Sequence, residues 1–256
     1  MSKVFDIQHV SKVFDNETVA LKEIDLSIEE NEFVCFLGPS GCGKSTLLEL
    51  LSGLEKPSEG KISFKEEALN SPNKKIGFVF QDASLYPWRT TMKNVEFGME
   101  LNGVSKEERR KRAQHYLSLV GLEGFEKKYP HQLSGGMRQR AGIARAFANQ
   151  PDVLLMDEPF GALDHLTRIQ LQKDLLEMWT KEKKTVVFVT HDIGEAIFLA
   201  DRIVLFSPRP GKIKEIITLK QERPRDPQDP ELIHKQNEIY ASLQGYEENK
   251  GIEYNI

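Results

Sequence analysis

The sequence predicts an α/β fold: a phosphate-binding core with a mixed sheet, an antiparallel β subdomain and an inserted α-helical subdomain. Three observations carry that prediction. Glu32 to Leu37 is a short apolar run, followed by the glycine-rich stretch Gly38 to Thr46 and then by Leu47, Leu48, Leu50, Leu51 and Leu54 at helical spacing. Strand, glycine loop and helix therefore follow one another. Two more apolar runs, Val153 to Met156 and Thr185 to Thr190, close on Asp157-Glu158 and His191-Asp192. Between about 85 and 150 the texture turns charged and helical.

Taken in order, residues 3 to 36 read as strands. Val4, Ile7 and Val10 precede a loop at Asp15-Asn16-Glu17, and Leu21, Ile24, Leu26 and Ile28 alternate with polar residues after it. Gly38-Pro39-Ser40-Gly41-Cys42-Gly43-Lys44-Ser45-Thr46 then fits G-x-x-x-x-G-K-[ST], the Walker A phosphate loop of a P-loop NTPase core. Glycines let backbone N–H groups close around phosphate oxygens, and the helix start adds a positive dipole. Lys44 is positioned to reach the β- and γ-phosphates and the Ser45 hydroxyl to ligate Mg²⁺. The stretch therefore predicts binding of a nucleoside triphosphate.

Glu59-Gly60 is a turn into Lys61 to Phe64, Asn70 to Asn73 a loop, and Lys75 to Phe80 a strand ending at Gln81. Lys106 to Val120 places Ala113, Tyr116, Leu117 and Val120 on one helical face opposite clustered charge. That charge mixes glutamates among bases, as a solvated helix face does. Gly121 to Pro130 reads as a broken, helical-looking segment. A helix is expected over about 165 to 182. Arg202 to Phe206 and Ile213 to Leu219 read as final strands around a Pro208 to Gly211 turn, with an amphipathic helix at 231 to 244 and a loose last dozen residues. The expected division is one domain over 1–245, with a core and β lobe at 1–85 and 150–220, a helical lobe at about 86–149, and a tail at 221–256.

Composition narrows the classes. The chain has 256 residues, 39% hydrophobic, with a formal charge of −4. That is ample for a core and offers no basic footprint for nucleic acid. Cys35 and Cys42 fall in the buried strand and the loop, where a disulfide is not expected and a reducing compartment fits. No apolar run is long enough to cross a bilayer, and no signal peptide is read at Met1-Ser2-Lys3-Val4. Any membrane role is expected to come through a partner.

Further stretches narrow the chemistry. Val153 to Glu158 is an apolar strand closing on two carboxylates, the Walker B form. Asp157 is placed to hold Mg²⁺ through water, and Glu158 to orient and polarise an attacking water. Leu133-Ser134-Gly135-Gly136-Met137-Arg138-Gln139-Arg140 opens a helix whose free N–H groups suit an anion.

Standing between Walker A and Walker B, that last stretch resembles the signature of ATP-binding cassette (ABC) proteins. By the same resemblance Gln81 corresponds to the Q-loop glutamine, a further Mg²⁺ ligand. Gly161-Ala162-Leu163-Asp164 corresponds to the D-loop and His191 to the switch histidine. Phe14 stands where an aromatic ring stacks on adenine; a core phenylalanine in a strand is the alternative. The resemblance implies a homodimer that closes on two ATP molecules. Ser134, Gly135, Gly136 and Asp164 would act in trans, and Gln81, Glu158 and His191 in catalysis.

Phe80-Gln81-Asp82, Leu85 to Thr90, Phe160 to Asp164, Val189 to Asp192, Glu195-Ala196, Leu199 to Arg202 and Ser207-Pro208-Arg209-Pro210-Gly211 resemble the nitrate/sulfonate/taurine importer branch. Tyr86 and Gly194 depart from it, where a leucine and an acid are usual. Nor does the chain show an added regulatory β domain. The resemblance implies an ATPase subunit at the cytoplasmic face of a bacterial membrane, joined to permease subunits and served indirectly by a solute-binding protein. The alternative is the ATPase of a separate-subunit exporter. Leu85, Tyr86, Pro87 and Trp88 are expected to line a groove for a permease helix, with burial of Trp88 inside the helical lobe as the alternative.

Overall fold

The computed structural model describes residues 2–15, 17–161 and 163–244. Asn16 of the expected loop, Ala162 of the D-loop stretch and the tail from 245 onward lie outside the described residues. Along the chain run β1 (Lys3–Val13), β2 (Val19–Glu29), β3 (Phe33–Leu37), α1 (Lys44–Ser52), β4 (Glu59–Phe64), β5 (Glu67–Ala68) and β6 (Ile76–Val79). Next come α2 (Thr91–Leu101), α3 (Lys106–Leu119), α4 (Gly135–Ala148), β7 (Val153–Asp157) and α5 (His165–Glu182). The described chain closes with β8 (Thr185–Thr190), α6 (Ile193–Leu199), β9 (Arg202–Phe206), β10 (Ile213–Thr218) and α7 (Pro230–Gln244).

Two compact units form, Met1–Ser71 with Val187–Ile256, and Pro72–Val186. In the first, an antiparallel sheet has the order β2-β1-β4-β5. Ile7 pairs with Leu26 on one side and Ile62 on the other. Val4, Phe5, Ile7 and Val10 of β1 are buried, and Phe5 meets the Phe64 ring at 5.3 Å.

This unit also holds β3 between β9 and β8. β3 runs parallel to β9, with Cys35 opposite Ile203, while β10 runs antiparallel to β9. Every residue of β3 is buried, the pattern of a strand covered on both faces. Burial pushes the Cys35 thiol well above its ordinary range.

The carboxyl end of α6 is closed by two arginines from the chain that follows. Arg223 donates to the Leu199 carbonyl and pairs with Asp201. Arg225 donates to the Ile197 and Ala200 carbonyls at 2.8 and 2.6 Å. Cations satisfying last-turn carbonyls stabilise a helix end. Burial, and then the neighbouring Arg223 charge, lower the Arg225 pKa to about 10.

In the second unit β6 and β7 pair in parallel, Gly77 opposite Leu154. Helices α2, α3 and α4 pack on one another through Val95, Met99, Ala113, Leu117, Ile143 and Phe147, all buried. Helix α2 has no counterpart among the elements expected from sequence. The Gly121 to Pro130 stretch is not helical: Gly121 and Gly124 turn the chain at φ +67° and +84°, and only a short 3-10 turn follows at Pro130–Gln132. Helix α5 spans the expected residues. Among the described residues no helix is long and apolar enough to cross a membrane.

Candidate functional site

The phosphate loop leaves β3 at Leu37 and enters α1 at Lys44. Gly41 and Gly43 lie in the left-handed region at φ +76° and +101°. A side chain at Gly43 would also strike the Ala20 carbonyl at 2.7 Å, so only glycine fits there. No side chain caps α1, whose N-cap residue is Gly43. The uncapped first turn of a helix is a place for an anion.

Lys44 is only 4% exposed. Its Nζ donates to the Gly38 and Pro39 carbonyls at 2.8 and 2.9 Å and approaches the Cys42 sulfur at 3.7 Å. A buried ammonium must be satisfied, and loop carbonyls here do what phosphate oxygens can do better. Ser40 and Ser45 are exposed, Pro39 and Thr46 half-buried, and Gly38 and Cys42 buried.

In the same unit His191 is exposed just past β8. Its surroundings are locked: buried Thr190 donates to Glu195 Oε2 at 2.6 Å and accepts from the Asp192 N–H at 3.0 Å. Asp192 caps α6 by accepting from the Glu195 N–H at 3.0 Å. Phe14 sits just past β1, 37% exposed, with Lys12 Nζ 5.1 Å from its ring centre. It is not a core residue.

In the second unit Asp157 ends β7 and Glu158 follows in a left-handed conformation, φ +39°. A non-glycine residue held there stores backbone strain, a recurrent property of functional positions. The turn is closed by the Gly161 N–H on the Glu158 carbonyl at 3.1 Å. Ser134 caps α4 by accepting from the Met137 N–H at 3.2 Å, and Asp164 caps α5 by accepting from the Thr167 N–H at 3.1 Å. Hydrogen bonds from Thr167 hold the Asp164 carboxyl below its ordinary range. Ser134, Gly135, Gly136 and Asp164 line one cavity of about 510 Å³. Gly136 is tight: a methyl there would meet Thr167 and Leu163 at 3.2 and 3.3 Å.

Gln81 is exposed two residues past the end of β6. The chain around it is held by α4, from which Gln139 donates to the Phe80 carbonyl at 3.2 Å. Arg145 forks to the Ala83 and Ser84 carbonyls, both at 2.8 Å. Beyond it Tyr86 packs on Phe97 at 4.6 Å and on Trp88 at 5.5 Å. Trp88 is 72% exposed, so it is not packed inside the helical lobe.

Asn94, fully buried, ties this segment down. Its Oδ1 accepts from the Tyr86 N–H at 2.7 Å, and its Nδ2 donates to the Tyr86, Arg89 and Thr90 carbonyls. Sequence reasoning did not single out Asn94, Arg145 or the Thr190–Glu195 pair. For Asn94, Arg145 and Glu195 the signal was a polar residue on the inner side of a helix, visible once the helix is placed; Thr190 instead ends strand β8.

Fold and motifs together define a nucleotide-hydrolysing cassette. The family model described as ABC transporter matches residues 21–161. An uncharacterized ABC transporter ATP-binding protein of Methanocaldococcus jannaschii is 50% identical, covering 93% of this chain and 90% of that one. The nitrate import ATP-binding protein NrtD of Synechocystis is 43% identical over 94% of this chain and 96% of its own. An aliphatic sulfonates import ATP-binding protein, SsuB, of Bacillus cereus is 46% identical over 86% and 87%. Among solved structures, the dimeric post-hydrolysis ATP-binding cassette MJ0796 bound to ADP and Pi superposes with a TM-score of 0.76 at 38% identity, over 85% of this chain and 100% of that one. The chain belongs to the ABC transporter family, whose ATP-binding proteins are ATPases coupled to transport.

Proposed function

We propose that this chain is the ATP-hydrolysing subunit of an importer for a small anionic or organic solute, of the nitrate and sulfonate kind. The observation that carries this reading is the near full-length similarity to ATP-binding proteins of nitrate and sulfonate import. Two copies would close on ATP, peripheral to the cytoplasmic face of the membrane. Permease subunits would dock on each, and a solute-binding protein would deliver the solute on the far side.

Lys44 would exchange its carbonyl partners for the β- and γ-phosphate oxygens. The N–H groups from Gly41 to Thr46 would surround those oxygens. Phe14 would stack on the base. Glu158 would draw a proton from the attacking water, with His191 and Gln81 positioned toward the γ-phosphate. Ser134, Gly135, Gly136 and Asp164 would serve the partner copy's nucleotide. The hydroxyl of Ser45, the amide oxygen of Gln81 and the carboxylate of Asp157 are hard oxygen donors, the set that suits Mg²⁺. That ion, when bound, would neutralise phosphate charge.

The experiment is co-expression with candidate membrane subunits, reconstitution in vesicles, and ATPase assay. Stimulation by a solute-binding protein loaded with nitrate or an alkanesulfonate supports the importer. Stimulation by a solute inside the ATP-side compartment, with export from it, would replace it by a separate-subunit exporter.

A further inference from the structure

The Ser207 to Gly211 turn lies against the outer side of the phosphate loop, in the first unit. Arg209 Nε donates to the Gly41 carbonyl at 3.2 Å. A methyl on Gly211 would fall 2.0 Å from the Cys42 carbonyl oxygen, so that oxygen faces the bare α-carbon of Gly211. Gly211 cannot retreat. Its N–H donates to the Ala20 carbonyl and its carbonyl accepts from the Lys22 N–H, both at 3.0 Å. The turn is tied on itself as well, since Ser207 Oγ accepts from the Lys212 N–H at 3.1 Å.

A trans peptide unit is planar, and its carbonyl and N–H point in opposite directions. Arg209 holds the Gly41 carbonyl and Gly211 abuts the Cys42 carbonyl, so two consecutive carbonyls face this turn. The N–H groups in the same two peptide units belong to Cys42 and Gly43, and they are therefore turned to the inside. Left-handed φ at Gly41 and Gly43 makes such N–H groups converge on one concavity. The Cys42 N–H donates to the Pro39 carbonyl at 3.4 Å, a long bond that a phosphate oxygen can replace.

We propose that this turn is the outer half of the nucleotide site. Arg209 and Gly211 are positioning residues that aim the Cys42 and Gly43 N–H groups at the phosphates. The inference rests on the reading of Gly38 to Thr46 as the phosphate loop. It extends that site to a segment far along the chain, and it explains why an exposed arginine and a glycine stand together in the turn.

The test is calorimetric binding of ATP and of inorganic tripolyphosphate to the wild type, Arg209→Ala, Arg209→Lys and Gly211→Ala. Arg209→Ala should weaken both ligands by about 3- to 10-fold, the size of one hydrogen bond. Without ligand its melting temperature should match the wild type, because Arg209 is exposed. Arg209→Lys should recover only part of the loss. Gly211→Ala, which displaces the Cys42 carbonyl, should lose more than Arg209→Ala. Unchanged affinity in Arg209→Ala overturns the proposal. So does a loss seen with ATP but not tripolyphosphate, or full rescue by lysine, which would leave only a point charge. A wild type that binds neither ligand would instead overturn the phosphate-loop reading itself.

Discussion

Replacing Asn94 by alanine should cost the protein more than any surface substitution. The side chain is fully buried and serves one N–H and three carbonyls of the 86–90 segment, at 2.7 to 3.1 Å. Its Nδ2 has two hydrogens for three acceptors, so one hydrogen is shared and about three full bonds are lost. At roughly 1 kcal/mol each, with unsatisfied backbone groups left behind, the loss is about 3 kcal/mol. For a chain of this size that lowers the melting temperature by roughly 6–12 °C. Thermal denaturation followed by circular dichroism reads it. Asn94→Asp keeps the Tyr86 acceptor but loses every donor, and should be no better than alanine. A midpoint within 2 °C of wild type for Asn94→Ala would show that the segment holds its shape without this residue, and the reasoning would fail.

Three further outcomes are expected. Phe14→Ala should weaken ATP binding by about 1–3 kcal/mol in calorimetry if the ring stacks on adenine, and no change would leave it a bystander. Replacing Tyr86 and Trp88 together by alanine should abolish co-purification with the permease subunits. Full recovery of the complex would remove this segment as the docking surface. Cys35, its pKa raised above the ordinary 9.0 by burial, should resist alkylation in native protein at pH 9 and react only on denaturation. The sign for stability follows: the unfolded thiol ionises first as pH rises, so this contribution is intact below pH 9.0 and declines above it. Rapid native labelling of Cys35 would contradict this.

The strands were legible where burial on both faces leaves an unbroken apolar run, as in β3, β7 and β8. Helix α5 was legible because Leu171, Leu175, Met178 and Trp179 repeat at helical spacing. Helix α2 was not. Its buried side interleaves Thr91, Asn94 and Glu96 with Val95 and Met99, which blurs the apolar stripe. Gly121 to Pro130 misled because its apolar residues suit a helix while its two glycines take left-handed turns. The motifs of the candidate site stand out in sequence because phosphate chemistry demands fixed residue types in fixed register. Their supports do not. Arg209 reaches Gly41 across 168 residues and Arg145 reaches Ala83 across 62, and such contacts leave no local pattern.

The central claim is that the chain hydrolyses ATP through Glu158 within a dimer that closes on the nucleotide. Size-exclusion chromatography with light scattering, on Glu158→Gln with ATP and Mg²⁺, tests it most directly. Losing the general base should lower turnover by ~10²–10⁴. The variant should then elute as a dimer that holds ATP, while the wild type returns to monomer as it consumes its ATP. A Glu158→Gln protein that hydrolyses ATP at the wild-type rate and stays monomeric would contradict the account.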